Sequence, residues 1–305
     1  MTSLPLHTLR RARPWLGTLV DITLQGEDAA QLTVTLEACF AAIERVHRLM
    51  SFHDMASDVS RLNREAAQRP VKVAAEVIKV LEMAQSISSQ SNGLFDITVA
   101  DRLVARGHFP AQAFSGNISP SDMGASWTDI TLSDNEHVIF GRTLLIDLGG
   151  IAKGFAVDQA MGICKQAGPR LHAARINAGG DLARFGHTES AIQIRHPVDT
   201  SRLLDIDSGH HDAVATSAYA YGNPVHITPT GFDNAPRFTS VTVMSSSCVI
   251  ADALTKVVML DGSGHIAAHC LDFFSASALV IDQQGNVHRS AIPAAQTASQ
   301  QAEYA

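Results

Sequence analysis

Apolar residues recur at helical spacing in several stretches of the chain. Residues 29–50 and 71–90 repeat them every three or four positions, which predicts two amphipathic helices. AKGFAVDQAMGICKQAG, residues 152–168, predicts another helix that stops at Gly168. CVIADALTKVVML, residues 248–260, is largely apolar and predicts a helix that packs in the core. MSFHDMASDVSRLNRE, residues 50–65, is polar and predicts a loop followed by a short helical turn.

Short β-prone runs fill much of the remaining chain. LVDITL alternates apolar and polar residues as a strand does, and Asp-Asn in ITLSDNEHVIF predicts a hairpin. LLIDLGG predicts the end of a strand. Further strands are predicted in RINAGGDLARFG, AIQIRHP, AVATSA, SVTVMS and, as a final pair, ALVIDQQGNVH. Because the strands cluster between helices and do not alternate strictly with them, we predict an α+β fold of mixed, largely antiparallel sheets with flanking helices.

Composition limits the class of protein. The chain has 305 residues, 46% of them hydrophobic and 17% charged, so it can bury a substantial core. We expect one domain over residues 1–292, either undivided or built from two intimate lobes, and a flexible tail at 293–305. The net charge of -7 comes without a Lys/Arg block, so we expect neither nucleic acid nor an anionic membrane as a partner.

Cysteine usage and the N-terminus predict the compartment. Four scattered cysteines lack C-x-x-C spacing, which favours a reducing environment. The first residues contain no continuous apolar run and no lipobox cysteine, and no stretch reaches the roughly 18 apolar residues of a membrane-spanning helix. We therefore expect a cytoplasmic protein without membrane insertion.

Polar side chains interrupt the apolar helix at 248–260. Asp252, Thr255 and Lys256 lie close together along it, and the simplest interpretation is a solvated stripe with an i,i+4 ion pair. IDLGGIAKGFAVD offers a second candidate, because paired glycines and Lys153 at a helix start suit a phosphate, although this motif alone slightly favours an ordinary tight turn with Lys153 solvated. Asp96 and Asp181 fit caps or turn-formers. Spacing alone assigns neither a Ser/His/Asp triad nor a Cys/His metal cluster.

Eight short blocks, in this order, resemble the ApbE-like family, the FAD:protein FMN transferases. They run from residue 13 to residue 256 and read RPWLGTLVDI, LMSFHDMASDVSRLNRE, SNGLFDITVA, IDLGGIAKGFAVD, INAGGDL, VATSAY, HITPTG and ADALTK. The resemblance implies an enzyme that binds FAD and Mg²⁺ and transfers FMN to a Ser or Thr of an acceptor flavoprotein, releasing AMP. Two alternatives remain open: an FAD pyrophosphatase that yields FMN and AMP, and a non-catalytic FAD-binding protein.

The same resemblance implies roles for individual residues. His226 and Asp252 would be catalytic, and we add Lys256, which departs from the family pattern, as a third catalytic candidate. A magnesium ion would be held by the Gly150 carbonyl, Asp252 and Thr255. The positions that would contact FAD are Leu16, His53, Leu94, Phe95, Asp96, Asp147, Lys153 and His226.

The chain departs from the family pattern at three places. Lys256 stands where the commoner motif has a threonine four residues after the aspartate, and the threonine here is Thr255. HITPTG is shortened and lacks the family's aspartate, and the aromatic residue often found at the position of His53 is absent. We expect the Lys256 ammonium to supply part of the charge that Mg²⁺ brings, which leaves either a metal with fewer ligands or a weaker dependence on metal.

Overall fold

The computed structural model of the chain describes residues 5–105, 107, 109, 124–186, 191–218, 237–261 and 264–289. The helices are α1 Ala29–Met50, α2 Asp58–Glu65, α3 Ala75–Gln90, α4 Ala100–Ala105, α5 Ala152–Gln166, α6 Cys248–Leu260 and α7 His265–Phe273. The strands are β1 His7–Trp15, β2 Thr18–Gly26, β3 Val71–Lys72, β4 Ile130–Leu132, β5 His137–Phe140, β6 Leu171–Ala178, β7 Asp181–Phe185, β8 Ile192–Arg195, β9 Leu203–Ile206, β10 Ala213–Ala218, β11 Phe238–Ser245, β12 Ser277–Asp282 and β13 Val287–Arg289.

An eight-stranded sheet forms the framework, in the order β1-β2-β6-β7-β10-β11-β12-β13. Neighbouring strands in it pair antiparallel. Helices α1, α5 and α6 pack side by side across one face, where alternate residues of β2 such as Ile22 are fully buried. The β8–β9 hairpin contributes to a smaller apolar cluster on the other face, with Ile194 against Leu182 and Met244.

Most of the predicted elements are confirmed. The described strand pairs are antiparallel and helices flank the large sheet, so the α+β class is confirmed. Helices α1 and α6 have the predicted bounds, and α5 ends just before Gly168, whose φ of 89° lies in the left-handed region. Helix α3 begins later than predicted because Val71 and Lys72 form a short strand with β5.

The strand predicted in LLIDLGG is wrong. The amide side chain of Asn63 bonds both backbone groups of Ile146, donating to its carbonyl at 2.9 Å and accepting from its N–H at 2.8 Å. The N–H of Asp147 donates to the carbonyl of Ile97. The backbone N–H and C=O groups of this β-prone segment therefore find hydrogen-bond partners in a side chain and a loop, and the segment needs no neighbouring strand.

The flexible tail expected at 293–305 falls outside the described residues. Within the described residues, no helix is long and apolar enough to cross a membrane.

Candidate active site

A cavity of about 640 Å³ opens between the β1–β2 turn, the end of α1, the start of α5 and α6. This volume lies in the range of small-molecule sites. Most of its lining is apolar, and Lys153 and Lys256 add two ammonium groups. Of the residues that the sequence analysis proposed, the structure brings nine to this cavity: Leu16, His53, Leu94, Phe95, Asp96, Asp147, Gly150, Lys153 and Lys256.

The β1–β2 turn places Leu16 in the wall of the cavity. Trp15 pairs with Thr18, which leaves Leu16 and Gly17 as a two-residue turn with φ of 57° and 72°. Glycine adopts these angles freely, whereas a leucine is strained there. Non-glycine residues in this region concentrate at functional sites, so the conformation agrees with a ligand-contacting role for Leu16.

Asp96 shapes the loop on the opposite wall. Its Oδ1 accepts hydrogen bonds of 2.8 Å from both the N–H and the hydroxyl of Thr98, and its Oδ2 accepts one of 3.1 Å from the N–H of Trp127. Burial raises the pKa of Asp96, and these hydrogen bonds oppose the rise. Its direct role in the structure is therefore to hold Phe95 and the loop around it in place.

Asp147 and His53 add titratable groups to the cavity. Burial raises the pKa of the Asp147 carboxyl, although the N–H of Gly149 and the charges of His53 and Lys153 act against the rise. His53 is exposed and lies edge-on to the rings of Phe52 and Phe109, with centroids 5.8 and 5.2 Å away. The chain lacks the aromatic residue that the family often has at position 53, but Phe52 and Phe109 place two aromatic rings beside His53.

A cluster of four charged side chains lies at the floor of the cavity. Lys153 donates to Asp181 Oδ2 at 2.6 Å and to Asp252 Oδ2 at 3.1 Å. Lys256 donates to the side chain and, at 3.0 Å, to the backbone carbonyl of Asp252. Asp252 is fully buried and Asp181 is 2% exposed. Two buried carboxylates are therefore matched by two ammonium groups, as buried charges require.

Coupling within the cluster shifts the pKa of three groups. Burial together with the Asp252 charge raises the pKa of Asp181 to about 6, despite Lys153 and Lys256. Burial also favours the neutral form of Asp252, but both ammonium groups outweigh it and lower the pKa. Burial would lower the pKa of Lys153, yet the charges of Asp252 and Asp181 raise it above its ordinary value. Lys153 therefore stays charged.

Thr255 is not among the residues that line the cavity. Its side chain is fully buried, and its hydroxyl donates to the Asp252 carbonyl at 2.6 Å and lies 2.7 Å from the hydroxyl of Ser217. This geometry is the usual back-bond of a threonine within a helix. His226 lies outside the described residues.

Contacts between α5 and α6 fix the position of Asp252. Asp158 of α5 accepts from the N–H groups of Cys248 and Val249 at 2.8 and 2.9 Å and so caps the first turn of α6. A Cβ on Gly154 would meet the carbonyl of Cys248, with its carbon 2.7 Å away. Only glycine allows this close approach, which lets the Gly154 N–H donate to Asp252 Oδ2 at 3.2 Å.

The oxygen atoms that Asp252 could offer a divalent cation are already hydrogen-bonded. Mg²⁺ takes oxygen ligands in octahedral geometry. Here the carbonyl and Oδ1 of Asp252 accept from the Lys256 ammonium, and Oδ2 accepts from Lys153 and Gly154. In the part of the chain that the structure describes, no group of three or more His, Cys, Asp or Glu side chains is arranged to hold a metal. As arranged, the cluster does not fit a resident Mg²⁺ on Asp252.

The model of the ApbE family matches residues 16–272, which include the cavity, the cluster and the framework strands β2, β6, β7, β10 and β11. The chain belongs to the ApbE family. Its described cavity residues all lie within the matched range.

Two curated relatives in the ApbE family and one solved structure show how far the likeness extends. The chain is 25% identical over 262 residues to the FAD:protein FMN transferase of Chlamydia pneumoniae, covering 78% of each chain. It is 25% identical over 281 residues to the FAD:protein FMN transferase of Vibrio cholerae, covering 85% of this chain and 83% of the relative. The apbe protein from Thermotoga maritima superposes with a TM-score of 0.77 at 25% identity, over 93% of this chain and 97% of that chain.

Sequence reasoning missed two residues that build this ApbE site. Asp181 fitted a turn-former and Asp158 received no role, yet Asp181 binds Lys153 and Asp158 caps α6. The signal for Asp181 was its place in INAGGDL, one of the blocks on which the resemblance rests. Asp158 carried a similar signal at the end of IDLGGIAKGFAVD.

Proposed function

We propose that the chain is an FAD:protein FMN transferase that attaches FMN to a Ser or Thr of an acceptor flavoprotein and releases AMP. One observation carries the proposal: an apolar cavity ends on a buried cluster that presents two ammonium groups. Such a cavity suits a ligand with flat apolar rings joined by a pyrophosphate. Membership in the ApbE family and the likeness to curated FAD:protein FMN transferases support the choice of FAD.

The proposed position of FAD follows from the chemistry of the walls. Leu16, Leu94 and Phe95 offer apolar surface to a ring system, and Asp147 and Asp96 offer carboxylates to its polar edges. Lys256 lies where its ammonium would donate a hydrogen bond to the pyrophosphate, and Lys153 adds a second positive charge beside it. Phosphoryl transfer depends mainly on such positioning and charge stabilisation, with little covalent work by the protein.

In the proposed reaction, the acceptor hydroxyl oxygen forms a bond to the phosphorus of the FMN half. The bond from that phosphorus to the bridging oxygen breaks, and AMP leaves with the bridging oxygen. The hydroxyl proton passes to a base, for which we propose His226. Lys256 and Lys153 would stabilise charge on the phosphoryl oxygens, and Asp252 would hold both ammonium groups in position.

We place this reaction in the cytoplasm. The proposal rests on the four cysteines, which are scattered along the chain without C-x-x-C spacing and are buried. The acceptor would then be cytoplasmic or face the cytoplasm. Cell fractionation tests this, and native protein found in the periplasm would contradict it.

An assay of FAD turnover tests the proposed activity. Purified protein is incubated with FAD, with and without a lysate of the same organism as the source of acceptor, and AMP, free FMN and protein-bound flavin are measured. We expect AMP together with flavin that stays on protein after denaturation. AMP with free FMN alone would indicate the pyrophosphatase, and FAD bound without AMP would indicate a binding protein.

A further inference from the structure

Lys256 and Lys153 differ in how many N–H donors of the ammonium group are free to bind a ligand. An ammonium has three N–H donors. Those of Lys153 point to one oxygen of Asp181 and both carboxylate oxygens of Asp252. Lys256 bonds only two oxygens in the described structure, both of Asp252, and its side chain lines the cavity. Lys256 therefore has a donor available for a ligand.

The ammonium of Lys256 also occupies the place where a cation on Asp252 would sit. It bonds the carboxylate and the backbone carbonyl of Asp252 together, the two oxygen types that a hard cation uses. Its stem runs along Gly150, where a Cβ would lie 3.7 Å from Cε of Lys256. Lys256 thus lies between two of the three ligands expected for magnesium, while the hydroxyl of the third, Thr255, bonds the Asp252 carbonyl and approaches Ser217.

We propose that Lys256 is a tethered monocation that replaces the divalent cation, so that the chain binds FAD and positions its pyrophosphate without Mg²⁺. This inference rests on the proposed function, because it assumes that the cavity takes FAD. The charge that a metal would bring is supplied by a compact ammonium whose position is fixed by Asp252 one helical turn away. The side chain is 11% exposed, so solvent screens this charge only weakly.

The test measures FAD affinity by flavin fluorescence, in EDTA and in Mg²⁺, without reference to turnover. The wild type is expected to bind FAD equally under both conditions. Lys256→Met removes the charge and should weaken FAD binding by about tenfold to a hundredfold, the loss of one charge-assisted hydrogen bond, in both conditions. Lys256→Thr supplies a hydroxyl near Asp252 and should lose the same affinity in EDTA but regain it in Mg²⁺.

Riboflavin is the control ligand, because it has the ring system of FAD without phosphates. Its affinity should be the same in all three proteins, which shows that the cavity is folded. Wild-type FAD binding that requires Mg²⁺ would overturn the inference and leave the proposed function standing. If the wild type bound neither riboflavin nor FAD under any condition, both the inference and the proposed function would fall. The comparison of the wild type in EDTA and Mg²⁺ decides the question even if a variant does not fold.

Discussion

Lys153 donates a hydrogen bond of 2.6 Å to Asp181, a residue 28 positions further along the chain. The bond joins the first turn of α5 to the start of β7, and the side chain of its acceptor, Asp181, is 3% exposed. Asp181 in turn lies near enough to Asp252 for the charge of one to raise the pKa of the other. The stability of the fold therefore depends on whether the Asp181 carboxyl at the cavity floor is protonated.

Stability should depend on pH through Asp181. Its pKa is about 6 in the folded protein against an ordinary value of 3.8, so between these values the folded state holds a proton that the unfolded state has lost. The stabilisation is complete below 3.8 and is lost as the pH rises through about 6. Urea unfolding across this range should show the free energy of unfolding of the wild type falling relative to that of Asp181→Asn. Parallel curves for the two proteins would contradict the raised pKa.

Gly154→Ala should destabilise the protein by about 2 to 3 kcal/mol, because the new Cβ forces α5 and α6 apart. Gly162→Ala is the matched control on the same helix, since its Cβ meets nothing within 4 Å. Helix propensity predicts that this control gains up to about 1 kcal/mol. Urea unfolding of both variants checks the pair, and equal effects would mean that the close approach at Gly154 has no energetic weight.

Asp158→Ala should cost about 1 to 2 kcal/mol, because it leaves the first N–H groups of α6 without their acceptor. The shift of α6 should also weaken FAD binding, since α6 carries Asp252 and Lys256. Asp28→Ala removes the cap of α1 at the end far from the cavity and should cost a similar free energy while FAD affinity stays unchanged. Thermal unfolding and flavin fluorescence of both variants give the two readouts, and an unchanged FAD affinity in Asp158→Ala would refute the positional argument.

Leu16→Gly should lower FAD affinity while leaving the free energy of unfolding nearly unchanged. Glycine relieves the strained φ of 57°, so the free energy of unfolding should stay within about 1 kcal/mol of the wild-type value even though an apolar side chain is lost. FAD affinity should fall because the cavity loses part of its wall. Leu19→Ala, an exposed neighbour on β2, should leave FAD affinity unchanged. A Leu16→Gly protein that binds FAD as tightly as the wild type would remove Leu16 from the site.

The sequence was sufficient for the elements whose hydrophobic pattern is regular. Residues 29–50 and 248–260 became helices with the predicted bounds because their apolar periodicity is long. The solvated stripe, the simplest interpretation of Asp252, Thr255 and Lys256, is wrong, because Asp252 and Thr255 are fully buried. The sequence analysis did not predict β1. It is a largely exposed edge strand with three arginines, so its sequence lacks the alternation of apolar and polar residues that marks a strand. The strand prediction for LLIDLGG was wrong because no local sequence pattern reveals that the Asn63 side chain hydrogen-bonds the backbone N–H and C=O of Ile146.

Some residues of the candidate site could be predicted from the sequence, whereas a contact between distant segments could not. The resemblance named nine of the residues that line the cavity, through short blocks in order. The partner of Lys153 was not, because the Lys153–Asp181 contact requires the β6–β7 turn to bring residue 181 back to α5. A long-range pair of this kind follows from sheet register and burial, which a single sequence specifies only weakly.

Mass spectrometry of the acceptor is the direct test of FMN transfer to a Ser or Thr. After incubation with the protein and FAD, flavin-fluorescent acceptor bands from the lysate are digested, and the modified peptides are sequenced. We expect the mass gain of one FMN, less one water, on a Ser or Thr, with one AMP released for each modified residue. AMP release with unmodified acceptor, or intact FAD in the presence of an acceptor that a related transferase does modify, would contradict it.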